Sequence, residues 1–190
     1  MDNFTKLIFT LASYTNSVKT SQTFTSAKTS VNSARVPALF KNNVFLSRAF
    51  DVVFDFGCGA YTEHINKYLS ERDILYIPYD PYNRTRAENT VSICTLYDCM
   101  YDVKLVSFTC SNVLNVIQDD EIVKEIISIS KYFANSFFTV YEGDRTGIGK
   151  PTKFDCFQRN SKISDYINFF DSLPYYCDSK IIYDRPEYCK

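Results

Sequence analysis

The glycines of this chain mark where its chemistry is to be sought, because the sequence has only five of them. Gly57 and Gly59 form one cluster, and Gly143, Gly147 and Gly149 form the other. Glycine allows a left-handed backbone and a close approach to a ligand. The first pair follows a short apolar run and precedes a helical pattern, so the sequence predicts a ligand-binding turn between a strand and a helix.

An acidic residue stands where nucleoside-binding folds place one. The side chain that hydrogen-bonds a ribose is expected about 20 residues beyond the glycine turn, at the end of the next strand. Asp80 lies at this distance from Gly59 and is followed by Pro81. The combination predicts a nucleoside site. The alternative is that Gly57 and Gly59 only permit a tight turn and that Asp80 only caps a loop.

Short apolar runs alternate with helical periodicities from residue 50 onward, and these define the elements that position the turn. The predicted strands are 50–56, 74–79, 104–110, 137–141 and 180–183, and the predicted helices are 61–70, 119–133 and 161–173. This alternation predicts an α/β fold with a mostly parallel sheet flanked by helices. We therefore expect one domain at 50–190, in which ligands bind at the carboxyl ends of the strands.

Residues 1–49 are predicted to form a basic, Ser/Thr-rich N-terminal arm and a helix. The segment 31–40 has nearly helical apolar spacing, whereas the part before it predicts a loop or a weakly ordered helix. We expect 25–32 to fold over the ligand site, where Lys28, Arg35 and Arg145 would create a positive potential. Deletion of residues 1–30 is expected to leave a folded domain.

Composition narrows the classes of protein that the chain can represent. A net charge of −1 argues against attachment to nucleic acid or membrane by bulk electrostatics. The seven cysteines contain no CxxC pair, so they predict reduced thiols in a cytoplasmic protein and no metal site. The apolar stretch at 7–12 is much shorter than the roughly 20 residues of a membrane span, which predicts no membrane partner.

The first glycine turn departs from the dinucleotide pattern, which wants a third small residue where Thr62 stands. The D-x-G-x-G sequence at 55–59 instead resembles motif I of class I S-adenosylmethionine-dependent methyltransferases. Similarity continues at 25–32, 79–84, 111–117 and 139–145, in the order found in small, poorly characterised methyltransferases of phages and bacteria. The resemblance covers about 25–165 and implies a Rossmann-like class I methyltransferase fold. Little sequence remains after Leu173, so we expect the sheet to be truncated at its C-terminal strands.

The resemblance implies methyl transfer as the activity and S-adenosyl-L-methionine as the cofactor. It implies that the glycine turn passes beneath the methionine part, that Asp55 orients the methionine amino group and that Asp80 binds the ribose hydroxyls. Ser111 and Asn112 would contact the cofactor near its sulfonium and shape the acceptor pocket. Tyr61 departs from the family, which usually has a small residue there. The expected cofactor-binding residues are Asp55, Gly57, Cys58, Gly59, Ala60, Tyr61, Asp80, Pro81, Ser111 and Asn112.

The methyl acceptor is not identified by these motifs. Enzymes that methylate DNA amino groups use [DNS]-P-P-[YFW] where this chain has Ser-Asn-Val-Leu at 111–114, and the Pro-Cys pair of cytosine-5 enzymes is absent. If a general base is used, Glu142 and Asp144 are candidates, with Arg145 able to bind an anionic acceptor. Asn112 is the fourth catalytic candidate. Basic residues slightly favour a nucleic-acid acceptor over a small molecule.

The second glycine cluster does not fit a phosphate-binding loop in either register. Counted from Gly143, the second glycine would fall at Ile148, and if Gly149-Lys150 is taken as the Gly-Lys pair, Pro151 replaces the Ser or Thr. We expect a mobile loop over the acceptor pocket, with a plain surface turn as the alternative. Two other functions stay open for the whole chain. One is a catalytically inactive module that binds or senses S-adenosylmethionine, and the other is a different nucleotide-binding Rossmann-like protein, such as a reductase.

Overall fold

A computed structural model describes residues 3–21, 35–102, 105–152 and 156–185 of the chain. The strands are β1 (Val52–Phe56), β2 (Leu75–Tyr79), β3 (Val106–Ser111), β4 (Asn135–Thr139), β5 (Lys150–Pro151), β6 (Phe157–Gln158), β7 (Tyr176–Cys177) and β8 (Ile182–Asp184). The α-helices are α1 (Asn3–Ser21), α2 (Asn43–Leu46), α3 (Glu63–Ser70), α4 (Arg86–Tyr101) and α5 (Asp120–Ser130). Short 3₁₀-helices cover Ala38–Lys41, Leu114–Val116 and Ile163–Phe169.

Six strands form the central sheet, in the order β2-β1-β3-β4-β8-β7. The four strands β2, β1, β3 and β4 run parallel to one another, whereas β8 is antiparallel to both of its neighbours, β4 and β7. β1 lies inside the sheet, with Phe54 opposite Ile77 of β2 and Phe108 of β3. Strands β5 and β6 pair separately. The predicted α/β class with a mostly parallel sheet is therefore confirmed.

Each face of the sheet packs against its own set of helices, because side chains alternate between the faces along each strand. Phe54 of β1 joins a core that includes Leu11 of α1, Leu96 of α4 and Val123 of α5. Val53 points to the other face and joins the second core. That core also contains Phe45, Ile65, Leu69, Leu39 and Phe40, from α2, α3 and the 3₁₀-helix before α2. The sheet is thus covered on both faces.

The N-terminal arm begins with the long helix α1, although its Ser/Thr-rich sequence predicts a loop or a weakly ordered helix. Leu7 and Leu11 lie one turn apart and are both fully buried. The Tyr79 hydroxyl of β2 also donates a hydrogen bond to the Leu11 carbonyl at 3.1 Å. Tertiary packing has therefore overridden low helix propensity, and deleting residues 1–30 would uncover part of the core.

Helix α4 is not predicted by apolar periodicity, because its buried face includes the polar residues Asn89 and Ser92. Its start nevertheless carries a readable signal. The Thr85 hydroxyl accepts from the Glu88 N–H, and the Glu88 carboxylate accepts from the Thr85 N–H. This capping box satisfies backbone donors that a helix start leaves unpaired, and the Thr-x-x-Glu spacing is visible in the sequence.

The C-terminal part differs from its expected form in two ways. Strands β7 and β8 are present after Leu173 as segments of two and three residues, so the sheet's C-terminal strands are short rather than missing. The expected helix at 161–173 is a 3₁₀-helix over Ile163–Phe169. Its buried residues Ile163 and Tyr166 are three apart, which matches the three-residue turn of a 3₁₀-helix.

We predict that Leu7→Ala lowers the free energy of unfolding by about 2–5 kcal/mol, the usual cost of a cavity in a packed core. Phe9→Ala on the same helix is the matched control, because Phe9 is 62% exposed. That control should change stability by about 0.5 kcal/mol or less. Urea unfolding of both variants measures the difference, and equal effects would contradict the docking of α1.

Candidate functional site

A cavity of about 580 Å³ lies at the carboxyl ends of β1, β3 and β4. This volume is typical of small-molecule sites, and the position is where open α/β sheets bind ligands. Seven of the expected cofactor-binding residues line it, namely Asp55, Gly57, Cys58, Gly59, Tyr61, Ser111 and Asn112. The other three are not part of its wall. Ala60 is exposed, whereas Asp80 and Pro81 follow β2 and are buried without being part of the lining.

The turn after β1 requires glycine at Gly57 for two separate reasons. Its φ angle is +80°, and a Cβ atom there would lie 2.3 Å from Cγ2 of Val113. Gly59 is also left-handed, with a φ of +76°. The N–H groups of Gly57 and Cys58 both donate to the Tyr79 carbonyl, at 2.7 and 3.2 Å. The turn is therefore held against the end of β2 while its backbone forms one wall of the cavity.

Asp80 ties this turn to the loop after β2. Oδ2 of Asp80 accepts from the Gly59 N–H at 2.9 Å and from Nδ2 of Asn83 at 3.0 Å. Oδ1 accepts from the N–H groups of Tyr82 and Asn83, each at 2.8 Å. A carboxylate has about four acceptor positions, so this one is fully used. The contacts are those of the loop-cap alternative, and a ribose contact stays a prediction.

The backbone of Asp80 is fixed by Asn89 of α4, a residue that the sequence did not single out. The Asn89 side chain accepts from the Asp80 N–H at 3.1 Å and donates to the Asp80 carbonyl at 2.9 Å. Ser92, one turn further, donates to the Pro78 carbonyl at 2.5 Å. Polar groups of α4 thus hold the end of β2, which explains why they are buried.

Asp55 forms the floor of the cavity and is only 3% exposed. Its Oδ1 and Oδ2 accept hydrogen bonds from the hydroxyls of Thr109 and Tyr76, both at 2.7 Å. Burial raises the pKa of Asp55 to about 6, and the two hydroxyl hydrogen bonds oppose this rise. At neutral pH the floor therefore carries a mostly ionised carboxylate, which favours a cationic or hydrogen-donating group above it.

Cys58 lies between the two glycines but is not set up as a nucleophile. Burial raises the pKa of its thiol far above the ordinary value, and the nearby charges of Asp55 and Asp80 raise it further. A thiolate is the reactive form of cysteine. The Cys58 thiol therefore stays protonated at neutral pH and contributes its volume to the wall.

Hydrogen bonds join the ends of β3 and β4 at Ser111 and Asn112, the residues that the resemblance implies lie near the cofactor's sulfonium. The hydroxyls of Ser111 and Thr139 are 3.0 Å apart, and the Asn112 N–H donates to the Thr139 carbonyl at 2.8 Å. Asn112 has a φ of +58°, in the left-handed region that Asn tolerates better than most residues. Its exposed side chain lies at the cavity wall.

The three charged catalytic candidates lie outside the cavity lining. Glu142 accepts from the Ile163 N–H at 2.8 Å and pairs with Arg145 at 2.6 Å. Both residues border a separate open cavity of about 500 Å³. Hydrogen bonds from Lys150 and Thr146 lower the pKa of Asp144 to about 2, which makes it a poor proton acceptor. These contacts give no support to a role as general base or acceptor clamp.

The loop at 142–149 is predicted to be mobile and to cover the acceptor pocket. None of its residues lines the cavity, and hydrogen bonds join it to Asn160. The Asn160 side chain accepts from the Asp144 N–H at 3.4 Å and donates to the Ile148 carbonyl at 3.0 Å. Its backbone carbonyl accepts from the Gly147 N–H at 2.9 Å. The cavity wall on this side comes instead from Phe157 and Gln158 of β6.

Several lining residues were missed by sequence reasoning. They are Pro37, Ile65, Val113, Asn115, Val116, Tyr141, Thr152, Phe157 and Gln158. Val113 and Asn115 lie inside the 111–117 segment that resembles the methyltransferases, although the resemblance implies no role for either residue. Phe157 and Gln158 belong to a two-residue strand, which has no periodic signal. Arg35 also lines the cavity, whereas 25–32, including Lys28, lies outside the described residues.

The chain matches no protein-family model and no curated protein. In the described ranges, no helix combines the length and apolar character needed to cross a bilayer. The same ranges contain no cluster of three or more His, Cys, Asp or Glu residues able to hold a metal ion.

We predict that Gly57→Ala lowers the free energy of unfolding by about 2–5 kcal/mol, because a left-handed alanine and an overpacked contact with Val113 add together. Gly147→Ala is the matched control. Gly147 is also left-handed, with a φ of +73°, but nothing lies within 4 Å of an added Cβ. It should cost only about 1–2 kcal/mol. Equal losses in chemical denaturation would contradict the close packing of the turn on Val113.

We predict that Asp55→Asn becomes increasingly stabilising, relative to the wild type, as the pH rises from 4 to 7. A carboxyl whose pKa is raised from 3.8 to about 6 by folding stabilises the protein below pH 4 and loses that contribution through pH 6. The full difference corresponds to about 3 kcal/mol. Unfolding is measured at several pH values, with Asp98→Asn on the exposed face of α4 as the control. A pH-independent difference would contradict the raised pKa.

Proposed function

We propose that the chain binds S-adenosyl-L-methionine in the main cavity and transfers its methyl group to an acceptor. The observation that carries the proposal is the glycine turn after β1, whose left-handed backbone lines a ligand-sized cavity and is hydrogen-bonded to the acid after β2. A Cβ at Gly57 would collide with Val113, another residue of the cavity wall. The parallel sheet is the framework in which the resembled methyltransferase motifs would act.

The acidic residues near the glycine turn favour a cationic group over a phosphate at that part of the cavity. Asp55 is buried in the floor, and Glu63 stands in the first turn of α3, the helix that follows the glycine turn. A helix start usually attracts phosphate through its unpaired N–H groups and dipole, but an acidic residue there opposes a second anion. The methionine ammonium would instead find a carboxylate at Asp55. NAD and ATP fit this arrangement less well.

Asp80 supports cofactor binding chiefly by holding the turn. Three of its four hydrogen-bond donors are backbone N–H groups, and only the Asn83 side chain is free to rotate away from Oδ2. A ribose hydroxyl could replace that single amide. We therefore propose that at most one ribose hydroxyl bonds to Asp80, rather than the two that the sequence predicts.

Positioning would supply the catalysis in this site. When bound, S-adenosyl-L-methionine supplies a methyl group activated by a sulfonium. Ser111 and Asn112 would shape the path of the acceptor, because they stand at the strand ends beside the glycine turn. Alignment of two reacting groups can by itself provide much of a rate enhancement. Tyr61 and Tyr141, at 49% and 65% exposed, supply aromatic surface at the same cavity.

A second function, a catalytically inactive module that binds or senses the cofactor, is favoured by one observation. Neither Glu142 nor Asp144 lines the cavity, and both are engaged in hydrogen bonds elsewhere. Asp55 is the one carboxylate among the described lining residues, and two hydroxyls already hold it. A transfer that needs a general base would therefore lack one here, whereas cofactor binding would be unaffected.

Calorimetry with S-adenosylmethionine, S-adenosylhomocysteine, NAD and ATP tests the binding proposal. We expect either methionine nucleoside to bind at least about tenfold tighter than NAD or ATP, a difference of about 1.4 kcal/mol. Asp80→Ala should weaken that binding by about tenfold to a hundredfold. Tighter binding of NAD would contradict the proposal.

Two further arms of this experiment separate the finer questions. A 2′-deoxy analogue that loses affinity for the wild type but not for Asp80→Asn would assign a ribose contact to that carboxylate. Methyl-labelled cofactor incubated with separate DNA, RNA, protein and metabolite pools then distinguishes an enzyme from a binding module. Binding without transfer to any pool would favour the module.

A further inference from the structure

Two side-chain amides in the wall of the cavity form a directed chain of hydrogen bonds. Nε2 of Gln158 donates to the Tyr141 carbonyl at 2.8 Å, and Nδ2 of Asn115 donates to Oε1 of Gln158 at 3.1 Å. A backbone carbonyl can only accept. Gln158 must therefore turn its nitrogen toward Tyr141 and its oxygen toward Asn115. One carbonyl thus fixes the orientation of both amides.

The end of this chain is an unpaired acceptor. Oδ1 of Asn115 is buried and has no hydrogen-bond partner among the described residues, and Asn115 as a whole is 2% exposed. The residue cannot easily move away, because its carbonyl accepts from the Arg159 N–H at 2.8 Å. A buried carbonyl oxygen without a donor is unfavourable. The arrangement becomes favourable when a bound molecule supplies the missing N–H or O–H group.

The surroundings of Asn115 favour a planar ligand. Val113, Val116 and the ring of Phe157 line the cavity around the same segment, and Tyr141 stands at its exposed side. Aromatic and apolar walls with few convergent polar groups are typical of small-molecule sites, and aromatic side chains can stack on a flat ring. An anionic group is disfavoured at this point, because the unpaired carbonyl oxygen would repel it.

We propose that Oδ1 of Asn115 accepts a hydrogen bond from an exocyclic amino group on a planar ring, and that this ring belongs to the methyl acceptor. The assignment of this ring to a methyl acceptor rests on the proposed function. Its chemical content, a subsite that selects amino-bearing rings, stands on the amide chain and the walls around Asn115. The adenine of the cofactor is the other possible source of such an amine, and the experiment separates the two.

The test compares bases that differ only in the amino group: adenine against purine, and cytosine against 2-pyrimidinone. Dissociation constants come from NMR chemical-shift titrations of the full chain, with and without S-adenosylhomocysteine. We expect each amino-bearing base to bind at least about fivefold tighter than its partner, both without and with the nucleoside. Equal affinities within both pairs would overturn the proposal, whether or not the nucleoside binds.

Variants assign the preference to the amide chain. Asn115→Leu should abolish the preference for the amino group, whereas Asn66→Leu, on the exposed face of α3 outside the cavity, should retain it. Gln158→Leu frees the Asn115 amide to turn over, so binding should persist with a smaller preference. A preference for the amino group that survives undiminished in Asn115→Leu would overturn the proposal.

The nucleoside arm distinguishes the source of the amine. If S-adenosylhomocysteine binds, shifts the Asn115 side-chain signal and blocks the free bases, the cofactor supplies the amine and the assignment to the acceptor is wrong. If the nucleoside fails to bind while the amino preference holds, the proposed function fails and the subsite stands.

Discussion

The carboxylate of Asp80 joins parts of the chain that would otherwise be independent. It accepts N–H groups from Gly59 in the turn after β1 and from Tyr82 and Asn83 in the loop after β2. Hydrogen bonds to a charged group contribute about 1.5–3 kcal/mol each. Without the carboxylate the buried Gly59 N–H and the partly buried N–H groups of Tyr82 and Asn83 would lose their acceptor. This side chain therefore joins the Tyr79 carbonyl and Val113 in fixing the shape of the glycine turn, and with it the wall of the cavity.

A second constraint follows from the alternation of side chains along β1. Val53 and Asp55 share one face, while Phe54 and Phe56 pack in the core on the other. Asp55 is therefore placed at the end of the strand on the cavity side, where Tyr76 and Thr109 from the two flanking strands reach it. A register shift of one residue would bury phenylalanine at this point and remove the polar floor.

The sequence predicted those features that are local or periodic. The strand before Gly57 and the spacing to Asp80 could be read because a parallel strand is a short apolar run and a left-handed turn needs glycine. Helix α4 was not predicted, because Asn89 is buried to hydrogen-bond Asp80, and this tertiary contact leaves no apolar periodicity in the sequence. The hydrogen bond between Asn115 and Gln158 joins residues 43 positions apart, and no local sequence pattern indicates such a contact.

Asp55 and Asn115 together give the cavity a consistent polarity. Burial raises the pKa of Asp55, and a bound cation would stabilise its ionised carboxylate. Oδ1 of Asn115 is a carbonyl oxygen without a hydrogen-bond donor among the described residues. Both are acceptors, whereas the positive charge of Arg35 comes from the segment before α2. A ligand that has several donor groups and a single carboxylate, such as an amino acid joined to a nucleoside, would match this pattern. A diphosphate fits this pattern less well, because a phosphate bound to the backbone of the glycine turn would lie close to the Asp55 carboxylate in the floor. The same polarity makes the proposed cofactor and an amino-bearing acceptor compatible occupants of one cavity.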